Sequence, residues 1–129
     1  MPKNKVLIIE DDLPALESLR SLLLTSGFEV EGNSTPKEIM KAVKSFAPDI
    51  ILLDLLMPGL GGLEVCQMLN SDKQTRDIPI IVISAIANPA DIKKAYGLGV
   101  VDYLTKPYIY SELENKIKKF IGYKKSKTN

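Results

Sequence analysis

The chain has 129 residues, of which 45% are hydrophobic and 26% are charged, and its formal net charge is +1. This is the size and composition of one globular domain, and no apolar run approaches the roughly 20 residues that a membrane helix needs. The sequence contains no histidine, which excludes catalysts with a histidine base and the usual imidazole metal sites. Any metal would therefore be a hard, oxygen-liganded ion such as Mg²⁺.

The N-terminal region and the cysteine content favour a cytoplasmic location. A strand pattern begins at Val6, which leaves no room for a secretory signal. Cys66 is the single cysteine, and its place within an apolar helical pattern predicts a core position.

Charge is spread unevenly along the chain. Residues 116–129 contain six lysines and no acid, whereas residues 1–115 contain 16 acidic and 11 basic residues, a net of −5. A basic tail can attract nucleic acid, but no aromatic platform or recognition motif accompanies this one. We interpret residues 123–129 as a solvated basic tail and expect residues 1–122 to form the folded domain.

Apolar runs bounded by turn residues predict five short strands. They cover residues 6–9, 28–32, 50–53, 78–84 and 100–105. Pro79 suits the first position of the fourth strand, and Met57-Pro58-Gly59 predicts a tight loop after the third.

Five helices are predicted after these strands. The first has Pro14 in its first turn, an apolar stripe and a stop at Gly27. The second begins with a capping box at residues 35–38, with Pro36 at the first helical position, and ends before Pro48. The third covers residues 63–69, with a polar loop after it at 70–77. The apolar stripes of the first, second and last helices are Leu16, Leu19 and Leu23; Ile39, Val43 and Phe46; and Leu113, Ile117, Phe120 and Ile121.

Two further helix starts are predicted near the C-terminus. Asn88-Pro89-Ala90-Asp91 indicates a fourth helix that runs to about Leu98, and a second capping box at residues 111–114 indicates the start of the fifth. Alternating strands and helices predict an α/β fold with a parallel sheet covered on both faces. If the strand order is the flavodoxin-like 2-1-3-4-5, the result is a three-layer (βα)5 sandwich in which strands one and three are central neighbours.

Polar residues follow four of the buried strands. They are Glu10 and Asp11 after the first, Asp54 after the third, Ser84 and then Ala85 at the end of the fourth, and Lys106 after the fifth. The carboxyl ends of parallel strands share one edge, so three carboxylates would converge there and repel one another unless a cation joined them. Lys106 and Ser84 suit an anion. Carboxylates, a metal, a lysine and a hydroxyl together indicate phosphoryl transfer, while Asp12 suits the cap of the following helix.

The motifs resemble those of the receiver domains of two-component response regulators. The matching stretches are Leu7-Ile8-Ile9-Glu10-Asp11-Asp12, Asp54-Leu55-Leu56-Met57-Pro58-Gly59, Ser84-Ala85 and Tyr103-Leu104-Thr105-Lys106-Pro107. The resemblance extends from residue 5 to about residue 121. It departs from the usual pattern in having Gly61 where many relatives have aspartate, and Ser84 rather than threonine.

The resemblance implies a role for each of these residues. Asp54 would accept the phosphoryl group, and Asp11, Asp54 and the backbone carbonyl of Leu56 would bind Mg²⁺ or Mn²⁺, with Glu10 acting mainly through water. Ser84, Ala85 and Lys106 would form the phosphoryl-binding and switch side, Tyr103 would change rotamer with the signal, and the Lys106-Pro107 peptide bond would be cis. Leu56 and Ile86 would flank the path of the hydrolytic water, which predicts slow autodephosphorylation.

The resemblance also implies partners. The phosphoryl donor would be a phosphohistidine on a sensor histidine kinase or phosphotransfer protein, since this chain has no histidine of its own. The output partner or fused output domain would contact the fourth helix, fifth strand and fifth helix, where the candidate contacts are Lys93, Lys94, Tyr96, Lys116 and Lys119. Nucleic acid binding by this domain alone is not expected.

Two other functions fit parts of the pattern less well. A Mg²⁺-dependent phosphatase or mutase with Asp54 as nucleophile usually needs a second acid two residues later, where this chain has Leu56, and a cap domain for which the chain is too short. A flavodoxin-like nucleotide binder would need a phosphate-binding turn after the first strand, but that turn is acidic. We therefore expect a signalling domain rather than an enzyme.

Overall fold

A computed structural model describes residues 3–35, 38–57 and 61–122. Within these ranges strands and helices alternate along the chain. The elements are β1 (Lys5–Ile9), α1 (Leu13–Thr25), β2 (Glu29–Asn33), α2 (Ile39–Phe46), β3 (Ile50–Leu53), α3 (Gly62–Ser71), β4 (Ile80–Ser84), α4 (Pro89–Gly97), β5 (Asp102–Thr105) and α5 (Tyr110–Phe120). The predicted Met57-Pro58-Gly59 loop and the tail at 123–129 lie partly or wholly outside the described residues.

The strands form one parallel sheet of order β2-β1-β3-β4-β5, which confirms the predicted flavodoxin-like topology. In the centre of the sheet, Ile9 lies opposite Leu53 and Leu53 lies opposite Val82. This register brings the carboxyl ends of β1, β3 and β4 to a common edge.

Two apolar layers cover the sheet. Val6, Ile8 and Leu52 pack with α1 and α5 on one face, and Leu7, Ile9 and Leu53 pack with α2, α3 and α4 on the other. Because consecutive residues of a strand point to opposite faces, this double covering explains why β1, β3 and β4 are continuous apolar runs. Cys66 is fully buried in the second layer, as predicted. None of the helices in the described ranges has the length and apolar character needed to cross a bilayer.

Two of the predicted helix starts are correct and two are wrong. The side chain of Asp12 accepts a hydrogen bond from Ala15 N at the start of α1, and Asn88 accepts one from Asp91 N at the start of α4. In contrast, α2 begins only at Ile39 with no side-chain cap. Thr35 donates its N–H to the Asn33 side chain instead, and Pro36 and Lys37 lie outside the described residues.

The second capping box is wrong because α5 begins two residues too early for it. Tyr110 is the first helical residue, so Ser111 lies within the first turn, and Ile109 precedes the helix without a side-chain cap. Other boundaries shift as well. The third helix is longer than predicted, and β4 begins at Ile80, so that Pro79 precedes the strand and only its carbonyl joins the ladder, by accepting from Ile51 N.

Candidate functional site

Three carboxylates converge at the carboxyl edge of the sheet. Glu10, Asp11 and Asp54 each offer an oxygen atom within 4.8 Å of the others. Glu10 and Asp54 are buried, at 6% and 7% exposure, and Asp11 is half-buried. Their positions follow from the sheet, because Asp54 N donates to Ile9 O across the end of the β1–β3 pair.

Lys106 is the cation of this cluster. Its Nζ atom lies 2.7 Å from Glu10 Oε1 and 3.1 Å from Asp54 Oδ2. Burial lowers the pKa of the Lys106 ammonium, but the hydrogen bonds and the negative charge of Glu10 and Asp54 together outweigh burial, and the pKa is raised above its usual value. The backbone of Lys106 is held as well, since its N–H donates to Ser84 O. The Lys106–Pro107 peptide bond is cis.

Burial also has the largest effect on the pKa of Glu10. It raises the pKa of the carboxyl group above its usual value, and nearby Asp54 adds to the rise, while the hydrogen bonds from Lys106 and from Asp12 N offset it in part. One ammonium therefore faces three carboxylates, which leaves two negative charges in a partly desolvated site. Oxygen donors so close together with uncompensated charge fit a hard divalent cation.

Asp12 does not belong to this cluster. Its side chain is exposed and caps α1, while its backbone N–H donates to Glu10 Oε2. The two adjacent aspartates thus have different tasks, because Asp11 faces the other carboxylates and Asp12 begins the helix.

Both carboxylate oxygens of Asp54 have a partner. Oδ1 accepts a hydrogen bond of 2.9 Å from Leu56 N, and Oδ2 faces Lys106. The side chain of Leu56 is 62% exposed. Leu56 and Met57 line an open cleft of about 480 Å³ at Asp54. The rest of its lining is charged and consists of Glu10, Asp11, Asp12, Asp54 and Lys106.

The fourth strand ends in a separate hydrogen-bonded group. Ser84 is fully buried, and its Oγ accepts from Ile86 N, whereas Ala85 between them is exposed. The half-buried Tyr103 donates its hydroxyl to Ile86 O. Burial raises the pKa of this hydroxyl, and a hydrogen bond with Ser84 partly offsets the rise. Ser84 and Tyr103 are thus linked both to each other and through Ile86.

A family model for the response regulator receiver domain matches residues 6–118. The chain belongs to this family. Receiver domains are signalling modules rather than classical enzymes.

The curated relatives are longer than this chain. Protein RcaC of Microchaete diplosiphon is 36% identical over 114 residues, which cover 88% of this chain and 18% of that protein. The DNA-binding response regulator MtrA of Mycobacterium tuberculosis is 29% identical over 116 residues, which cover 90% of this chain and 50% of that protein. The chain therefore spans half or less of the length of these curated relatives.

A solved structure matches the receiver domain over nearly its whole length. It is the receiver domain of a Pseudomonas aeruginosa sensor histidine kinase, crystallised with a magnesium ion in its active-site cleft. It is 25% identical, has a TM-score of 0.84, and the match covers 94% of this chain and 99% of that one.

The structure brings most of the predicted site residues together, with one unexpected contact. The sequence suggested that Lys106 faces an anion opposite the carboxylates, whereas Lys106 binds Glu10 and Asp54 directly. No sequence signal specified this pairing, because 96 and 52 residues separate the partners.

Gly62 is a residue that sequence reasoning missed. A Cβ atom at this position would lie 2.3 Å from Leu55 Cα and 2.8 Å from Asp54 O. Gly62 N also donates to Leu55 O. The first residue of α3 thus packs directly on the backbone that carries Asp54, and only glycine permits this approach.

Gly62→Ala is expected to lower the free energy of unfolding by about 1–3 kcal/mol, because either α3 or the backbone of residues 54–55 must move. Gly97→Ala is the matched control, since a Cβ atom there meets nothing within 4 Å and alanine favours a helix. Urea unfolding of both variants measures the difference. Equal free energies of unfolding for the two variants would show that the backbone at Asp54 can move at little cost, contrary to this prediction.

Proposed function

We propose that this receiver domain is a phosphoacceptor switch in which Asp54 takes a phosphoryl group from a phosphohistidine on a histidine kinase or phosphotransfer protein. The observation that supports this most is the state of the Asp54 carboxylate, which is buried and held at both oxygens beside two further carboxylates. A nucleophile fixed in this way meets the phosphorus with little loss of orientation. In the step, the bond from phosphorus to the histidine nitrogen breaks and a bond to an Asp54 oxygen forms.

The proposed metal ligands are Asp11, Asp54 and the backbone carbonyl of Leu56, with Glu10 acting through water. When bound, Mg²⁺ or Mn²⁺ would supply positive charge against the phosphoryl oxygens. The magnesium ion in the cleft of the Pseudomonas relative supports this choice of metal. Lys106, the Ser84 hydroxyl and the backbone at Ala85 are proposed to meet the phosphoryl oxygens on the other side.

The signal is proposed to leave through Ser84 and Tyr103. An acyl phosphate adds about two negative charges to the site, which would attract Ser84 and disturb the hydrogen bonds that Ser84 and Tyr103 make with Ile86. Tyr103 would then change rotamer. Its backbone leads to the output face, because Tyr103 N donates to Asp102, whose carboxylate also pairs with Lys116 of α5.

The output partner is proposed to bind the α4–β5–α5 face. Of the candidate contacts, Lys93, Lys94 and Lys119 are exposed. Lys116 is paired with Asp102, and the Tyr96 hydroxyl faces the same carboxylate. MtrA is a DNA-binding response regulator, which supports an output domain or partner elsewhere rather than nucleic acid binding by this domain. A single, buried thiol suits the reducing cytoplasm that we propose as its location.

Asp54→Asn should abolish phosphorylation. Incubated with acetyl phosphate and Mg²⁺, the wild type should gain the mass of one phosphoryl group in intact mass spectrometry, and the label should be sensitive to hydroxylamine. Asp49→Asn is the matched control at the opposite edge of the sheet, where Asp49 accepts a hydrogen bond from Lys5 N, and it should be labelled like the wild type. If Asp54→Asn were labelled to the same extent as the wild type, and the label were stable to hydroxylamine, Asp54 would not be the phosphorylation site.

Mg²⁺ binding should depend on Asp11 and not on Asp12. Both Asp11→Asn and Asp12→Asn remove one charge, but asparagine at 12 can still cap α1. We expect Asp11→Asn to weaken Mg²⁺ by more than about tenfold, the loss that outer-shell changes alone can cause, and Asp12→Asn to weaken it only slightly. Isothermal titration measures both, and equal losses would mean that Asp12 also belongs to the metal site.

The phosphoryl group on Asp54 should be long-lived. In this family, the residues that flank the attacking water correspond to Leu56 and Ile86, and neither side chain can hold water by a hydrogen bond. After removal of the donor, Leu56→Asn/Ile86→Glu should lose its label several-fold faster than the wild type. Leu24→Asn, a substitution of an exposed leucine on α1, should decay like the wild type. If the double variant does so as well, these side chains do not set the lifetime.

A further inference from the structure

The Tyr110 hydroxyl joins two helices that are distant in sequence. Tyr110 is the first residue of α5, and its hydroxyl donates to Leu22 O at 3.2 Å and lies 2.8 Å from Ser26 Oγ. Ser26 is the C-cap residue of α1. Because the single phenolic hydrogen is directed to Leu22 O, the Ser26 hydroxyl is the donor of the shorter bond. The start of α5 is therefore tied to the end of α1.

This tie closes one end of the loop that carries Lys106. The loop, residues 106–109, begins where Lys106 N donates to Ser84 O and ends directly before Tyr110. Between these two points, Pro107 and Ile109 are exposed, Ile109 at 70%. These two side chains therefore restrain the loop little, and between its two ends the half-buried ring of Tyr108 is what packs against the core.

The space between the loop and α1 is not filled by side chains. An apolar groove of about 540 Å³ separates them. One wall is formed by α1 residues such as Leu19 and Leu22, and the other by Pro107 and Tyr108, while Glu10 and Lys106 lie at one end. Apolar packing joins the two walls in part, since Leu19 of α1 and the ring of Tyr108 belong to one cluster. The hydrogen bonds of Tyr110 add a polar link between α1 and the end of the loop.

We propose that Tyr110 is a positioning residue of the phosphorylation site, whose hydroxyl anchors the loop of residues 106–109 to α1 and thereby holds the Lys106 ammonium against Asp54. This rests on the proposed phosphoacceptor function. Lys106 Nζ reaches Asp54 at 3.1 Å and Glu10 at 2.7 Å. Without the Tyr110 hydroxyl, the four-residue loop is released at its C-terminal end, and the ammonium can leave the orientation in which it meets the phosphoryl oxygens. The rate of phosphoryl transfer then falls, although the carboxylates of the site stay in place.

Tyr110→Phe removes the hydroxyl and keeps the ring. With acetyl phosphate as donor and saturating Mg²⁺, we expect the maximal rate of Asp54 phosphorylation to fall about three- to tenfold, the range that one or two net hydrogen bonds represent. The donor concentration for half-maximal rate should not change. Ser26→Ala should act in the same direction. Tyr108→Phe is the matched control in the same loop, because the Tyr108 hydroxyl makes no hydrogen bond with the residues that the structure describes.

A double-mutant cycle separates positioning from general destabilisation. In a Lys106→Ala background, Tyr110→Phe should slow phosphorylation no further, because the group that it positions is gone. Circular dichroism and urea unfolding establish that each variant is folded under the assay conditions. A folded Tyr110→Phe variant that reacts like the wild type, or that slows Lys106→Ala by the same factor, overturns the proposal. Failure of the wild type to be phosphorylated would instead refute the phosphoacceptor function itself.

Discussion

The register of β1 against β3 is the constraint on which the site depends. Ile9 pairs with Leu53, so the next residues, Glu10 and Asp54, emerge side by side at the end of the sheet. Both strands are buried on both faces, and a slip of one residue would reverse the face of every side chain in them. The apolar layers that stabilise the sheet therefore also determine the distance between the carboxylates.

The fold brings three carboxylates together, and the single positive charge of Lys106 neutralises their negative charge only in part. It binds Glu10 and Asp54, but one ammonium cannot balance three carboxylates. Burial makes the remaining negative charge costly, and it raises the pKa of Glu10 above its usual value. In the proposed chemistry, a divalent cation would offset the charge on the carboxylate side and Lys106 would meet the phosphoryl group, so both functions need the same edge of the sheet.

The sequence predicted what depends on local pattern. Buried runs ending in Glu10, Asp54 and Ser84 indicated the sheet and its functional edge, and Asp12 and Asn88 were correct as caps because their side chains act within one turn. The capping boxes at residues 35–38 and 111–114 failed because the tertiary fold decides where a helix begins, as at Ile39 and Tyr110. The approach of Gly62 to the Asp54 backbone, and the pairing of Lys106 with Glu10, join distant segments and have no local signature.

Ile86 connects Ser84 at the site with Tyr103 of β5. Ile86 donates its N–H to Ser84 Oγ and accepts the Tyr103 hydroxyl at its carbonyl. These groups belong to adjacent peptide units, so in the proposed switch a shift of Ser84 toward Asp54 would change the support of Tyr103. Tyr103 in turn is joined through its own N–H to Asp102 and thus to Lys116. In the proposed switch, this short series of hydrogen bonds would couple the carboxylate edge to the face of α4 and α5, provided that it has a second arrangement whose population phosphorylation raises.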